Sequence, residues 1–426
     1  MPPKSLSIAV VALNYSPEPT GIGPFAAELA HGLKDNGHRV SVIAGYPHYP
    51  QWRLAEGYEP HDIESAQAGI PITRKRHYIP GRSSFLTRSI MEISFGIRAA
   101  FTRHDADLIF CISPPLLATT IILMREKLRR RPRPLVVWVQ DLYGLGVAET
   151  KNGASVAAAM VSRLESQTFR RSTALVVIHD RFRAHIVDQL GVPGDRVRAI
   201  RNWSRQEPIP AVGRNEALRT LGWEDLMDHT IVLHAGNIGA KQGLENVVKA
   251  AQLADEGQEK VMFVLLGDGN QRPRLEGLAE GVKSIRFVDV LEADRFGYAL
   301  RAADVLLVNQ EPGVSEMCVP SKLLSYYSAA RPVIAAVDAD GITADDVREA
   351  AAGIVVAPGD PARLLKEAAA LARDKQAMQE MGDSGRNFIQ NNYARETTIA
   401  AISDWLIEFA ATSSGAMAKT RSEGDD

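Results

Sequence analysis

The sequence predicts an α/β protein made of two Rossmann-like, doubly wound parallel-sheet domains. Three observations carry this expectation. Strand-length apolar runs alternate with helix-period segments along the chain. The runs are continuously apolar rather than alternating, as in strands covered on both faces by helices. The whole series occurs twice, interrupted once by the extended-chain stretch Gln206-Glu207-Pro208-Ile209-Pro210. A chain of 426 residues is also too long for one ordinary core.

Taken in order, the first run, Ser7–Leu13, leads into the loop Asn14–Pro24 and then a helix whose apolar face is Phe25, Leu29 and Leu33. Pro24 suits a helix's first turn. The runs Val40–Ala44, Leu108–Ile112, Leu135–Val139 and Leu175–Ile178 follow. The second series is Thr230–His234, Val261–Leu266, Ile285–Val288, Val305–Val308 and Val333–Ala336. This places an N-terminal domain at residues 1–205 and a C-terminal one at 206–392. Ile399, Ile402, Leu406 and Phe409 then mark a helix over 393–411, expected to pack back on the N-terminal domain. Residues 412–426 are polar and small, and are expected to be a disordered tail. No fixed-period repeat is present.

Composition narrows the class. An apolar share of 45% with 23% charged residues fits a globular protein. Cys111 and Cys318 are far apart and read as core residues of a reducing compartment, not a disulfide or zinc set. The start of the chain reads as a first strand rather than an export signal. No apolar run reaches the roughly 18 residues that span a bilayer. The expectation is therefore a cytoplasmic protein, soluble or peripheral at the inner face of the membrane. Residues 1–205 hold 27 Lys and Arg against 17 Asp and Glu, and the remainder 22 against 34. The first half thus faces something anionic. Its basic residues do not alternate with aromatics as in a nucleic-acid module, so a membrane surface or phosphate-bearing acceptor is expected and nucleic acid is not. Lys127, Arg129, Arg130, Arg131 and Arg133 form a basic run, and Phe85–Phe101 carries Leu86, Ile90, Ile93 and Ile97 with Arg88 and Arg98. Together they suit anionic headgroups, or equally a solvated loop beside a core helix.

The chemistry concentrates in glycine loops at strand ends. Gly21 and Gly23 precede a helix, where phosphate can approach bare backbone with the helix dipole helping. Gly21–Ala26 also matches G-x-G-x-x-A, but the loop is long and proline-rich, and the second strand ends Ile43-Ala44-Gly45 without a ribose-binding carboxylate. In the second half, Gly236-Asn237-Ile238-Gly239-Ala240-Lys241-Gln242-Gly243 sets a lysine among glycines, a diphosphate ligand or a solvated loop residue. Gly267-Asp268-Gly269 ends a strand. Pro320-Ser321-Lys322 opens a helix where free N–H groups point, with Ser321 able to cap it. The two Asp-x-Asp pairs, Asp105/Asp107 and Asp338/Asp340, read as solvated acids, so no metal site is expected. No serine–histidine or cysteine–histidine nucleophile set is present.

These motifs, with Tyr46-Pro47-His48-Tyr49-Pro50, Trp138-Val139-Gln140-Asp141-Leu142 and Arg201-Asn202-Trp203, make the chain resemble glycosyltransferase family 4. The resemblance is strongest to the branch serving colanic-acid and exopolysaccharide biosynthesis. It implies the GT-B architecture, in which two such domains face across a cleft, and a retaining transfer from a nucleotide-diphosphate sugar to a glycan or polyprenyl-diphosphate-linked acceptor without metal or other cofactor. By the same resemblance, Gly21 and Gly23 approach donor phosphate and acceptor, Gly236 and Asn237 approach the donor, and Lys241 binds its diphosphate. Gly267 and Gly269 line the nucleotide pocket, and Asp289 and Val290 lie where backbone groups meet the base. Ser321, Lys322 and Leu323 contact phosphate, with Ser325 on the donor side; Asp141, Lys241 and Glu316 are the catalytic candidates. Asp141 lies near the reacting sugar, with His48, Tyr49 and Gln140 on the acceptor side. The family's paired glutamates are broken: Ser325 stands in the second place and Met317 in the first, with Glu316 one residue off. Two other readings stay open, a nucleotide-sugar epimerase of the same architecture and a non-catalytic sugar-nucleotide-binding protein.

Overall fold

The computed structural model describes residues 5–19, 21–58, 63–81, 84–142, 156–204, 209–313 and 321–422. The chain divides into two compact units, Met1–Asn202 with Arg395–Asp426, and Trp203–Ala394.

The first unit runs β1 (Ser7–Ala12), α1 (Ile22–Asp35), β2 (Arg39–Gly45), β3 (Ile63–Gln67), β4 (Ile70–Lys75), α2 (Phe85–Ala100), β5 (Leu108–Ile112), α3 (Leu116–Lys127), β6 (Leu135–Val139), α4 (Val156–Arg171), β7 (Ala174–Val177), α5 (Asp180–Ala184) and β8 (Val197–Ala199). Its sheet has the order β3-β4-β2-β1-β5-β6-β7-β8, parallel throughout except for the antiparallel β3–β4 pair. Strands β1, β5, β6 and β7 are buried at every position, as continuous apolar runs require when helices cover both faces. The chain turns from one side of β1 to the other between β2 and β5, so the sheet has its switch point beside β1.

The second unit runs α6 (Arg214–Leu221), β9 (Thr230–Ala235), α7 (Glu245–Gly257), β10 (Val261–Leu266), α8 (Arg272–Leu278), β11 (Ile285–Val288), α9 (Ala293–Ala302), β12 (Val305–Asn309), α10 (Ser321–Ser328), β13 (Val333–Ala336), α11 (Ile342–Glu349), β14 (Gly353–Val356), α12 (Pro361–Arg373) and α13 (Lys375–Asn392). The sheet order is β11-β10-β9-β12-β13-β14, all parallel. Met262, Val264 and Leu266 point into one core layer and Val261, Phe263 and Leu265 into the other, the period-two alternation of a strand covered twice. Here the switch point lies between β9 and β12.

The final helix, α14 (Arg395–Ser422), belongs to the first unit. It lies on α1, where a Cβ added at Gly32 would come within 2.6 Å of Ile399. His38 ties it further: His38 Nδ1 accepts the Leu6 N–H at 3.1 Å, and its Nε2 meets Ser403 Oγ at 2.8 Å. Helical backbone continues from Thr412, where a disordered tail was expected, as far as Ser422; residues 423–426 lie outside the described residues. Four strands escape the hydrophobic reading for a physical reason. β3 and β4 form a polar edge hairpin, β8 has three residues, and three of the four positions of edge strand β14 are only half-buried. Among the described residues, no helix is long and apolar enough to cross a membrane.

Candidate functional site

Parallel strands deliver their C-terminal ends to one edge of each sheet, and the motif residues gather there. In the second unit, β9 ends in Gly236 (φ 131°) and β10 in Gly267 (φ 139°). A Cβ on Gly267 would stand 2.0 Å from Gly236 O, and one on Gly269 would stand 2.2 Å from Ile238 O. These two glycines therefore let the post-β9 and post-β10 loops lie backbone to backbone. That contact is sealed by Ile238 N–H donating to Asp268 O at 2.9 Å and Gln271 N–H to Ile238 O at 3.1 Å. Both glycines thus serve the packing of the two loops.

Gly236 and Asn237 are exposed above this seam. Lys322, in the first turn of α10, reaches over Gly236, its Nζ 3.8 Å from where a Cβ would project. Burial pulls the Lys322 ammonium down to about 8, because it is only partly reached by water. Beneath it on β9, fully buried His234 is held well below its usual value by desolvation, then by the Lys322 charge. It is a neutral ring that does not oppose the lysine. Tyr326, on the same helix, donates to or accepts from both ends of the switch point. Its hydroxyl accepts the Ala235 N–H at 2.9 Å and lies 3.4 Å from Leu307 O. The helix start is thereby fixed over the strand ends.

Lys241 is exposed in a single 3-10 turn over Ala240–Gln242. Its carbonyl accepts the Glu311 N–H at 2.8 Å, and Asn309 Nδ2 donates to Gln242 O and Gly243 O at 2.7 and 3.0 Å. The lysine loop is thus pinned to the end of β12. Gln242 Oε1 accepts the Gly239 N–H at 3.1 Å, closing the turn. Asp289, expected at the base, pairs through its side chain with Arg272 at 2.7 Å, while Val290 is exposed. Leu323 is a core residue, so a contact from it to phosphate is a backbone contact. Ser325 is half-buried on α10. The side chain of Ser321 and all of Glu316 lie outside the described residues.

In the first unit, Gly21 caps α1 at φ 67°, with the Tyr49 ring 3.4 Å from a projected Cβ. Gly23 stands against Glu18, 3.1 Å from Cβ to Cβ. Glu18, to which the sequence reading assigned nothing, is the hub of this edge. Its Oε1 accepts the N–H groups of His48 and Tyr49 at 2.8 and 3.0 Å, and its Oε2 accepts Asn14 Nδ2 at 2.8 Å. Burial raises the carboxyl above its ordinary value, opposed by those hydrogen bonds. His48 Nδ1 lies 2.9 Å from Tyr46 O and 3.3 Å from Glu18 Oε1. With acceptors on both sides, Nδ1 carries the hydrogen and Nε2 keeps its lone pair. Burial lowers the His48 pKa and brings its edge-on neighbour His77 to about 4. An acid set between two prolines, Pro17-Glu18-Pro19, was the signal available in the sequence.

Gln140 and Asp141 end β6 on the same edge, three strands from β2 and so roughly 14 Å away. Gln140 is spent in a reciprocal amide pair with Asn202 at 2.6 and 3.4 Å, joining the ends of β6 and β8. Asp141 has an exposed surface yet is crowded enough that desolvation raises its carboxyl. The edge therefore holds two clusters, Glu18–His48–Tyr49 and Gln140–Asp141.

Two α/β sheets, each with glycine loops beside its switch point and one with a lysine reaching over an exposed glycine, are the scaffold of a two-domain transferase. Residues 20–203 match the glycosyl transferase 4-like domain and residues 229–374 the glycosyl transferases group 1 domain. The chain is 30% identical over 332 residues to WcaI of Escherichia coli K12, described as a colanic acid biosynthesis glycosyl transferase, covering 75% of this chain and 80% of that one. It is 26% identical to WbjE of Pseudomonas aeruginosa, described as a glycosyltransferase, over 74% of this chain and 78% of that one. The chain belongs to the glycosyltransferases of GT-B type, related to those of exopolysaccharide biosynthesis. Among solved structures, sucrose-phosphate synthase from Thermosynechococcus elongatus superposes with a TM-score of 0.70 at 17% identity, covering 95% of this chain and 100% of that one. Anabaena HepE in complex with UDP-glucose gives 0.63 at 16%, over 94% and 99%. At such identities these share the fold.

Proposed function

We propose that this glycosyltransferase is a retaining, metal-independent hexosyltransferase that moves a sugar from a nucleoside-diphosphate donor to a glycan carried on a polyprenyl diphosphate. It works at the cytoplasmic face of the membrane in building a surface polysaccharide. The observation that supports this reading is Lys322 standing over the Gly236 backbone at the start of α10. A departing diphosphate there meets a lysine and the positive end of a helix with its first-turn N–H groups, which stabilise the charge that develops as the glycosidic bond breaks. Lys241 supplies a second, exposed positive charge from its pinned loop. The acceptor hydroxyl attacks the anomeric carbon from the face the diphosphate leaves, and a diphosphate oxygen takes its proton. No protein nucleophile is then needed. Ser325, in place of the family's second glutamate, meets a ribose hydroxyl without a charge-assisted bond. Glu18 holds the His48–Tyr49 loop, and His48, Tyr49 and Asp141 serve the acceptor and reacting sugar.

The test is a thermal-shift screen of the full chain against UDP, GDP, ADP and NAD⁺, followed by turnover of the matching sugar nucleotide with and without EDTA. A rise in Tm with one nucleoside diphosphate is expected, and UDP-glucose, the ligand of the HepE complex, is the first donor to assay. A response to NAD⁺ alone would sink the donor assignment. Loss of turnover in EDTA would sink metal independence.

A further inference from the structure

Helix α2 is apolar on two opposite sides. One side, with Met91, Phe95 and Ala99, is buried in the unit. The other exposes Leu86 (68%), Ile90 (44%), Ile93 (39%), Ile97 (48%) and, just past its end, Phe101 (68%). At 100° per residue these five fall within about 80° of one another, a continuous stripe facing away from the core. Phe85, 67% exposed, extends it at the N-terminus. The neighbouring helix α3 is packed so close that a Cβ on Gly96 would lie 2.7 Å from Ala118 Cα. It adds Met124 (58%) and Leu128 (82%). Isolated exposed apolar residues need no explanation, but a two-helix stripe of this size does.

Its rim is cationic. Arg125 lies over the Phe101 ring at 5.3 Å. An open depression of about 880 Å³ is lined by Arg125, Leu128, Arg129, Arg130 and Arg131. The carboxylates within Phe85–Arg103 and Leu116–Arg133 are Glu92 and Glu126, and both are buried. Glu92 accepts the Leu117 N–H at 2.8 Å, and Glu126 is occupied by Arg133 at 2.6 Å and Arg129 at 3.7 Å. Within these two stretches no carboxylate is exposed among the described residues, so the face they present is apolar and positive; the nearest exposed acids in sequence, Asp105 and Asp107, lie past Arg103. A second copy would set arginines against arginines across a two-fold axis. An anionic bilayer satisfies both parts at once, taking the apolar side chains below the headgroups and the guanidinium groups among the phosphates.

We infer that the α2–α3 face of the first unit is a membrane-docking surface for anionic lipid. It deepens the reading of a lipid-linked acceptor, on which it rests for its purpose but not for its observations. The test is co-sedimentation of the full chain with vesicles of phosphatidylcholine containing about 30% phosphatidylserine, against pure phosphatidylcholine, across a salt series. The wild type should bind the anionic vesicles and lose binding as salt rises. L86Q/I90Q/I97Q and R129Q/R130Q/R131Q should each lower partitioning at least about tenfold. Both should keep the wild-type thermal shift with nucleoside diphosphate, which shows that they fold. Equal binding by wild type and both variants would overturn the assignment. So would a wild-type dimer that the apolar triple variant makes monomeric, without vesicle binding by either. Vesicle binding without any nucleotide response would uphold this face while failing the donor reading.

Discussion

At the scale of single residues, two buried ionisable groups show how the fold fits side chains to tasks. Glu18 is held by three hydrogen bonds that organise the loop carrying His48 and Tyr49. Lys322 is instead left without a carboxylate among its described contacts, and burial alone lowers it to about 8. No described carboxylate thus competes with a diphosphate for this cation. Lys322→Ala should weaken nucleoside-diphosphate binding by about 10- to 100-fold, or about 1.4–2.8 kcal/mol, the value of a charge-assisted contact. Lys241→Ala, at an exposed position, should cost about threefold to tenfold. Titration calorimetry with the responding nucleotide checks both, and wild-type affinity in both variants would sink the assignment. The pH dependence has a definite sign. Below about 8 the free lysine is charged and affinity is flat; above that it deprotonates and affinity falls, by up to tenfold per pH unit. Lys322→Arg, charged throughout, should flatten the profile.

At the scale of elements, the glycine loops explain what the sequence could and could not tell. That Gly236, Gly267 and Gly269 follow buried strands was legible, and so was their position at the ligand-facing edge, because both follow from strand periodicity and parallel topology. Their division of labour was not. Gly267 and Gly269 are dictated by the approach of another loop's carbonyl, which is a tertiary contact that no local pattern encodes. The same holds for Gln140, whose partner Asn202 comes from another strand end, and for Asp289, paired with Arg272 across a loop. Gly267→Ala should therefore be severe: its Cβ would lie 2.0 Å from Gly236 O at a φ of 139°. The loops must part, at a cost of about 2–4 kcal/mol, and donor binding should disappear with them. Gly281→Ala is the control, since it shares a positive φ (77°) but meets nothing within 4 Å. It should cost only about 1 kcal/mol and leave donor binding intact. Thermal denaturation with and without nucleotide separates the two, and equal losses would show that φ rather than loop contact governs the site.

At the scale of the whole molecule, the doubling of the α/β series was legible because each continuous apolar run needs covering on both faces. The return of the last helix to the first unit depended on partners far away in sequence. Ile399 fills the space over Gly32, and His38 joins Leu6 N–H to Ser403 Oγ. This clasp gives the first unit an acid-sensitive point, as fully buried His234 on β9 gives the second unit one of its own. His38 Nδ1 must be unprotonated to accept the Leu6 N–H, and burial lowers its pKa despite nearby Asp404. His48 is likewise lowered and His77 falls to about 4, both first by burial. For a histidine depressed in the folded state, the unfolded chain takes up protons first. Its contribution is present above about 6.5 and is lost as pH falls through the folded pKa. His77 alone accounts for about 3 kcal/mol between roughly pH 6.5 and 4. Glu18, raised by burial, offsets part of this in its own range. The expected outcome is that, between pH 7 and 5, amides of residues 395–411 and of β1 lose hydrogen-exchange protection, after correction for intrinsic rates. His38→Asn, which can still accept the Leu6 N–H without titrating, should reduce that loss selectively in residues 395–411. Equal loss in residues 395–411 of the wild type and of the His38→Asn protein would show that the clasp does not set their acid response.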